Sequence, residues 1–218
     1  MKQKTYERIL RIGRLCFKKP AIYLPVDFDT STPSIFLCNH ARNYGPIMAV
    51  TRFPAPFRPW CHSGVVHPDE SFAYIRNGFF MERLKLGQGI AGFLAGLINR
   101  PLLALVNMNR PIPAYHDISK CLRTIHMGTQ SLLAGEHQLI FSNVPLVADG
   151  KLNPRFDFMK GYLPVVKKAM KGGVIPKIYP VSINRDRSAI SVGNPISPTP
   201  IETGRWRRDG SMTTSSEK

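Results

Sequence analysis

The chain has 218 residues, 43% of them hydrophobic, and a formal net charge of +16 at pH 7. This length is typical of one domain with a sizeable core, and the hydrophobic content is too low for a protein that crosses a membrane many times. The charge favours anionic partners: a phospholipid surface, phosphorylated substrates, an acidic carrier protein or nucleic acid. Four widely spaced cysteines without a Cys-x-x-Cys pair indicate reduced thiols rather than a metal site or disulfides.

The first 19 residues combine seven basic side chains with apolar residues near helical spacing. This pattern predicts a basic amphipathic helix. Two arrangements fit the same periodicity: a helix that lies on an anionic membrane, and a helix that packs on its own domain with a solvated basic face. We expect no signal peptide here, because the segment lacks an uninterrupted apolar core.

Residues 35–50 carry the first chemical signal. A short apolar run at residues 35–38 ends at Asn39 and His40, and a polar turn follows before apolar residues resume after Pro46. This pattern predicts a buried strand, a tight turn and a helix entered through the proline. Polar groups at the carboxyl end of a strand, beside a helix N-terminus, are where α/β folds place their chemistry. His40 is therefore a candidate general base.

The middle of the chain contains the most apolar stretch, residues 90–106, which Asn99-Arg100-Pro101 divides into two pieces. Neither piece approaches the ~20 residues that span a bilayer, so we expect burial in the core or shallow insertion into a leaflet. Residues 61–66 are expected to form a strand. His62 and His67 have no acidic partner at metal-ligand spacing, which favours ordinary loop histidines over a metal site.

After residue 110 the predicted elements alternate. The expected strands are 110–115, 138–141, 174–183 and 189–192, and the expected helices are 117–134 and 156–170. Asp117 and Gly135 suit the start and end of the first of these helices. The alternation favours an α/β fold with a mixed, largely parallel sheet flanked by helices. The expected organisation is a basic amphipathic helix at 1–19, an α/β domain at 20–198 and a polar, disordered tail at 199–218.

The turn after residue 38 resembles the first sequence block of the glycerolipid acyltransferases, the family of lysophosphatidic acid and glycerol-3-phosphate acyltransferases. That block is Asn-His, four residues, Asp and often Pro. This chain has Asn39-His40, four residues and Gly45-Pro46. The histidine therefore matches the family, and a glycine stands where the family has its aspartate.

Later segments resemble the following blocks of the same family in the same order. Residues 112–116, Ile-Pro-Ala-Tyr-His, are similar to Ile-Pro-Val-x-Arg, with His116 in place of the arginine and Arg110 close by. Residues 141–144 stand at the Phe-Pro-Glu-Gly block and keep only its phenylalanine. Three further segments are similar to Phe-Lys-x-Gly, Val-Pro-Val-x-Ile and Val-Gly-x-Pro-Ile: residues 158–161, 178–183 and 192–196.

The resemblance implies transfer of a fatty acyl group from acyl-CoA or acyl carrier protein to a lysophospholipid or related alcohol. It implies a protein on the cytoplasmic face of a membrane, peripheral or monotopic, with His40 as general base and no metal or other cofactor. The candidate substrate-binding residues are Asn39, Asn43, Arg110, His116, Ser142, Asn143, Lys151 and Lys160. Alternatively, the asparagines of the turn, Asn39 and Asn43, cap it, and the lysines belong to a solvated basic face.

In the family the aspartate orients the histidine, and Gly45 has no side chain with which to do so. A water, a backbone carbonyl or another carboxylate would have to take that role. The candidate carboxylates in loops or at helix starts are Asp27, Asp29, Asp69, Asp149 and Asp157.

Two other functions remain open from the sequence. The changed positions Gly45, His116 and Ser142-Asn143 favour a non-catalytic relative that binds lipid or a partner on the same scaffold. Nucleic-acid binding has only the charge in its favour, because no aromatic-basic, zinc-finger or helix-turn-helix motif is visible. We therefore expect no specific nucleic-acid partner, and no feature of the sequence indicates an oligomeric state.

Overall fold

The structure, a computed structural model, describes residues 3–41, 44–115, 117–141 and 160–198. The strands are β1 (Ala21–Tyr23), β2 (Ser34–Cys38), β3 (Arg58–His62), β4 (Ile112–Ala114), β5 (Gln138–Phe141), β6 (Lys177–Asn184) and β7 (Ala189–Val192). The α-helices are α1 (Gln3–Cys16), α2 (Tyr44–Arg52), α3 (Ser63–Val66), α4 (Pro68–Tyr74), α5 (Gln88–Asn107), α6 (Ile118–Leu133) and α7 (Leu163–Lys171). A π-helix, Ile75–Arg83, joins α4 to α5, and a 3-10 turn, Lys160–Tyr162, leads into α7.

All seven strands belong to one sheet with the order β1-β7-β6-β2-β5-β3-β4. The central strand β2 pairs in parallel with β5 and β6, and β3 pairs in parallel with β5 and β4. β6 and β7 pair antiparallel. The mixed, largely parallel sheet that the sequence predicts is thus confirmed. Strands β2 to β6 run in one direction, so we call the side where they end the carboxyl edge and the opposite side the amino edge.

The core lies on both faces of β2, which is buried along its whole length. Successive side chains of a strand point to opposite faces, so Phe36 faces the layer formed by α2, and Ile35 and Leu37 face α6 and α7. A strand covered on both faces must be apolar at consecutive positions, which explains the uninterrupted run in the sequence. Helices therefore cover both sides of the sheet.

Helix α1 packs on the domain through one side and leaves apolar residues exposed on the other. The Tyr6 hydroxyl donates to Asn109 Oδ1 at 2.6 Å, and Arg14 Nε donates to the carbonyl oxygen of Thr51 at 2.9 Å. Of the two arrangements open from the sequence, the structure contains the packed one. Ile12 and Leu15 nevertheless point outward and are largely exposed.

Two sequence predictions are wrong in their boundaries. The strand expected at 61–66 ends at His62, because the imidazole Nδ1 accepts a hydrogen bond from the Gly64 N–H and caps the helix α3. The break expected at Pro101 does not occur, and α5 continues through it. Proline deprives the Leu97 carbonyl of its helical partner, but Leu97 is exposed, so water can satisfy that carbonyl.

Helix α6 follows its local signals closely. The Asp117 carboxylate accepts from the Ser119 N–H at 2.9 Å and caps the first turn, and Gly135 takes a left-handed φ of 80° just beyond the last turn. The predicted tail at 199–218 and the first residues of the helix expected at 156–170 lie outside the described residues.

Gln138, at the start of β5, is fully buried, and its side chain joins two elements. Its Oε1 accepts from Trp60 Nε1 at 2.9 Å, and its Nε2 donates to the Gly128 carbonyl of α6. We expect Gln138→Leu to lower the free energy of unfolding by about 1–3 kcal/mol, because the indole N–H loses its acceptor inside the protein.

The measurement is urea denaturation. Gln130→Leu, the same change on an exposed position of α6, should alter the free energy of unfolding by no more than about 0.5 kcal/mol. Equal losses for the two variants would contradict the bridging role of Gln138.

Candidate functional site

The candidate site lies at the carboxyl edge, where β2 passes into α2. His40 comes two residues after the end of β2 and is half-buried. Its imidazole packs against the ring of Phe141, the last residue of β5, with centroids 5.1 Å apart. The two rings meet because Cys38 and Phe141 are paired at the ends of neighbouring parallel strands. The structure thus places His40 at the strand end and helix start that the sequence predicts.

Gly45 closes the turn on its inner side, where it is buried. A Cβ atom there would come closer than 3.0 Å to the carbonyl carbon and oxygen of His40, a separation that real Cβ atoms essentially never show. Ala41 has a left-handed φ of 40°, which turns the chain back toward the start of α2. The path of the main chain thus leaves no room for a side chain at Gly45, where the resembled sequence block has its aspartate.

Asn39 ties the turn to β6. Its Nδ2 donates to the Ile183 carbonyl at 3.0 Å, and its Oδ1 accepts from the Ile183 N–H at 2.7 Å. Both polar atoms of the side chain are therefore used to extend the pairing of β2 with β6 beyond the end of β2. These hydrogen bonds hold the residue next to His40 in position, and the substrate contact of Asn39 stays a prediction.

Arg110 lies at the amino edge, away from His40. It precedes β4, and its Nη2 forms an ion pair with Glu136 Oε1 at 2.9 Å. Glu136, which precedes β5, also pairs with Arg58 at 2.9 Å. Burial alone would raise the pKa of Glu136, but hydrogen bonds from Arg58 and Ser131 outweigh it and keep the pKa low. The structure thus gives Arg110 an ion pair at the amino edge, away from His40, and its phosphate-binding role stays a prediction.

The carboxylates of the loop before β2 also lie at the amino edge. Asp29 pairs with Lys177, the first residue of β6, at 2.9 Å. The hydrogen bond from Lys177 and those from Ser31 hold the pKa of Asp29 well below its ordinary value. The negative charge of Asp27 contributes to raising the pKa of Lys177. Because the amino edge is opposite His40, neither aspartate can orient the imidazole. Asp69 lies in the first turn of α4.

A cluster of aromatic side chains continues along the carboxyl edge from the ends of β3 and β4. His62 stacks on Tyr74 with ring centroids 4.6 Å apart, and His67 Nε2 lies 2.7 Å from the hydroxyl of Tyr115. β5 lies between β2 and β3, so these two strands are roughly 10 Å apart. His40 follows the end of β2, and His62 is the last residue of β3. The sequence does not predict these pairs, because each tyrosine is distant from its histidine along the chain. The contacts form only when helices α3 and α4 fold.

The thiols near the site are poor nucleophiles. Burial raises the pKa of Cys38 and the pKa of Cys61 to about 12, so both stay protonated at neutral pH. Among the residues that the structure describes, no group of three or more histidine, cysteine, aspartate or glutamate side chains could hold a metal ion. The described part of the site therefore offers an imidazole as its reactive group.

Several predicted residues fall outside what the structure describes. These are Asn43, His116, Ser142, Asn143 and Lys151, together with Asp149 and Asp157. Lys160 begins the 3-10 turn, and its side chain is also outside the described part. Of the predicted site, the structure thus gives the geometry of His40 and Asn39 at the carboxyl edge and separates Arg110 from them.

No protein-family model, curated protein or solved structure matches the chain. The α/β architecture is therefore established by the sheet itself, and the function is inferred from the residues and geometry at its carboxyl edge.

The turn around Gly45 gives a stability prediction. We expect Gly45→Ala to lower the free energy of unfolding by about 1–3 kcal/mol, because a new methyl group would collide with the main chain of His40. Gly45→Asp, which introduces the aspartate of the resembled sequence block, should destabilise at least as much, because its Cβ meets the same atoms.

Chemical denaturation measures both changes, and Gly96→Ala in α5 serves as the control. A Cβ at Gly96 meets no atom within 4 Å, so this change should be neutral or stabilising by up to about 1 kcal/mol. A Gly45→Asp variant that is as stable as the wild type would refute the described geometry of the turn.

Proposed function

We propose that the chain is an acyltransferase that moves a fatty acyl group from acyl-CoA or acyl carrier protein to a lysophospholipid or related alcohol at a membrane surface. The observation that carries this proposal is the half-buried imidazole of His40 at the carboxyl edge of a largely parallel sheet, in the connection from β2 to α2. The ordered resemblance of the surrounding segments to glycerolipid acyltransferases supports the same conclusion.

In the proposed reaction the hydroxyl oxygen of the acceptor attacks the thioester carbonyl carbon of the donor. His40 takes the hydroxyl proton as the new C–O bond forms. The C–S bond then breaks, and the imidazolium returns the proton to the departing sulfur, so that the products are an ester and a free thiol. No electron transfer or additional reactant is needed. One histidine can therefore serve both proton transfers.

The imidazole of His40 must be positioned without the aspartate of the family. Three features support that role here. Phe141 packs against the ring and restricts its rotation. Asn39 binds the preceding residue to β6, and the contact of Gly45 with the His40 carbonyl fixes the main chain. Sheet and main-chain packing thus take over the orienting function in this proposal.

The charge of the chain suits the proposed donors. CoA and acyl carrier protein are both anionic, and the net charge of +16 favours their association over a broad surface. The charge therefore supports an anionic donor, and the proposal assigns its contacts to no particular residue.

The second candidate function is a non-catalytic protein that binds lipid on the same scaffold. Two observations favour it: Gly45 leaves no room for an orienting carboxylate, and the cation Arg110 lies at the opposite edge from His40. This candidate predicts binding to vesicles without turnover of any thioester donor.

Substitution of His40 tests the proposal. With purified protein, vesicles containing a lysophospholipid, and acyl-CoA, we expect His40→Gln to slow CoA release by at least about 100-fold, because the reaction loses its general base. The same assay should be run with acyl carrier protein as donor.

His126→Gln is the matched control, because His126 is exposed on α6, and its rate should equal that of the wild type. An unchanged rate in His40→Gln would exclude His40 as the base. A wild-type protein that binds vesicles but turns over neither donor would leave the second candidate.

A further inference from the structure

Helix α5 exposes large apolar side chains on one side. Ile90, Phe93 and Leu97 are 60%, 73% and 66% exposed. Their spacing of three and four residues places them in one row along the helix. Exposed apolar residues are ordinary when they are scattered, but a continuous row on one helix marks a surface that meets an apolar partner. We call these three residues the α5 row.

The side of α5 that packs on the protein carries both small and large apolar residues. Ala91 and Ala95 are fully buried, and they contact Ile75 and Phe80 of the preceding π-helix. Leu94, Ile98 and Leu102 of α5 pack against the same cluster and are partly buried. A surface helix of a globular domain usually buries its large apolar side chains, but the three residues of the α5 row lie outside this contact. Packing of α5 on the protein therefore leaves the α5 row without a partner among the described residues.

Basic residues border the α5 row at both ends. Arg83 and Lys85 precede the helix, and Arg100 lies three residues beyond Leu97 on the same side. The helix contains no acidic residue. An apolar row that ends in cations is typical of a helix lying in the interface of an anionic bilayer, where long basic side chains reach the headgroups.

Length and composition alone would also allow α5 to cross a membrane. The surroundings of the helix favour an orientation along the surface instead. Arg100 is exposed within α5, and the attached π-helix carries Arg76 and Arg83, whose transfer into the bilayer would be costly. An interfacial helix keeps all three guanidinium groups close to water and phosphate.

A second copy of the chain fits the α5 row less well than a membrane does. In a symmetric antiparallel pair centred on Phe93, Arg100 of one copy would lie beside Lys85 of the other. In a parallel pair the two Arg100 residues would meet. Both arrangements bring like charges together, whereas an anionic lipid surface complements the same charges.

We propose that α5 attaches the protein to anionic membranes, lying parallel to the bilayer with the α5 row among the acyl chains. Arg83, Lys85 and Arg100 bind the phosphate groups of the lipids. The choice of a membrane as partner rests on the proposed function, but attachment itself requires no catalysis and no contribution from His40.

A flotation assay with the full chain tests this surface. The probes are vesicles of phosphatidylglycerol and phosphatidylcholine, and vesicles of phosphatidylcholine alone. We expect Ile90→Glu to lower partition into the anionic vesicles by about 10-fold or more, since a carboxylate replaces an inserted side chain next to anionic lipid. Ile175→Glu, at an isoleucine that is also 60% exposed but lies between α7 and β6, should bind like the wild type.

Equal partition of Ile90→Glu and the wild type would overturn the proposal, as would equal losses in Ile90→Glu and Ile175→Glu. Circular dichroism establishes that both variants are folded, which is expected because both positions are exposed. Analytical ultracentrifugation without lipid adds a second criterion. If the wild type is a dimer, and Ile90→Glu dissociates it but binds vesicles like the wild type, the α5 row belongs to an interface with a second copy.

Depth of insertion separates the two membrane orientations. Phe93→Trp adds a tryptophan whose fluorescence reports its depth in the bilayer. Lipids brominated near the headgroup should quench this fluorescence more strongly than lipids brominated near the chain ends. The opposite order would mean that α5 crosses the bilayer and would overturn the parallel orientation.

His40→Gln should bind vesicles like the wild type. If the wild-type protein binds vesicles but releases no CoA, the proposed function is refuted and the attachment through α5 still stands. Loss of vesicle binding in Ile90→Glu, with continued CoA release to a water-soluble acceptor, would support both.

Discussion

The close contact between Gly45 and the carbonyl of His40 is the constraint on which the candidate site depends. It joins the end of β2 to the start of α2 over a few residues, and it leaves no space for a side chain at Gly45. Asn39 reinforces the turn from the other side through its two hydrogen bonds to Ile183. The main chain around the imidazole is therefore held by packing and by the sheet. A carboxylate at position 45 is incompatible with this path of the chain.

The two edges of the sheet carry different kinds of polar side chain. At the amino edge, Glu136 pairs with Arg58 and Arg110, and Asp29 pairs with Lys177. These pairs join the starts of neighbouring strands and the loops that lead into them. The carboxyl edge instead presents histidines that pack on aromatic rings, at His40, His62 and His67. The charged pairs at the amino edge thus serve the sheet, and three imidazoles that pack on aromatic rings lie where parallel α/β sheets usually carry chemistry.

Local signals predicted β2 and α6 well, because an uninterrupted apolar run and a capped amphipathic pattern depend on few distant residues. The continuity of α5 depends on tertiary placement, since Pro101 is tolerated where the Leu97 carbonyl faces solvent. The location of Arg110 had a signal in the sequence: it precedes β4 rather than following it, which assigns it to the amino edge. The geometry of the turn at Gly45 had no such signal, because a glycine in the sequence does not reveal how close its main chain comes to the His40 carbonyl.

The connection from β3 to β4 links the two proposals of membrane attachment and catalysis. β3 ends at the carboxyl edge with His62, and α3 begins there at the next residue. Helix α3 contacts α5, so the helical unit that carries the α5 row starts at the edge where His40 lies. A lysophospholipid held in the leaflet beneath α5 would bring its headgroup to the surface near that edge. The hydroxyl of such an acceptor would reach the imidazole without leaving the membrane entirely, and the anionic donor would approach from the aqueous side. In this proposed arrangement the positive charge would attract both the lipid headgroups and the donor.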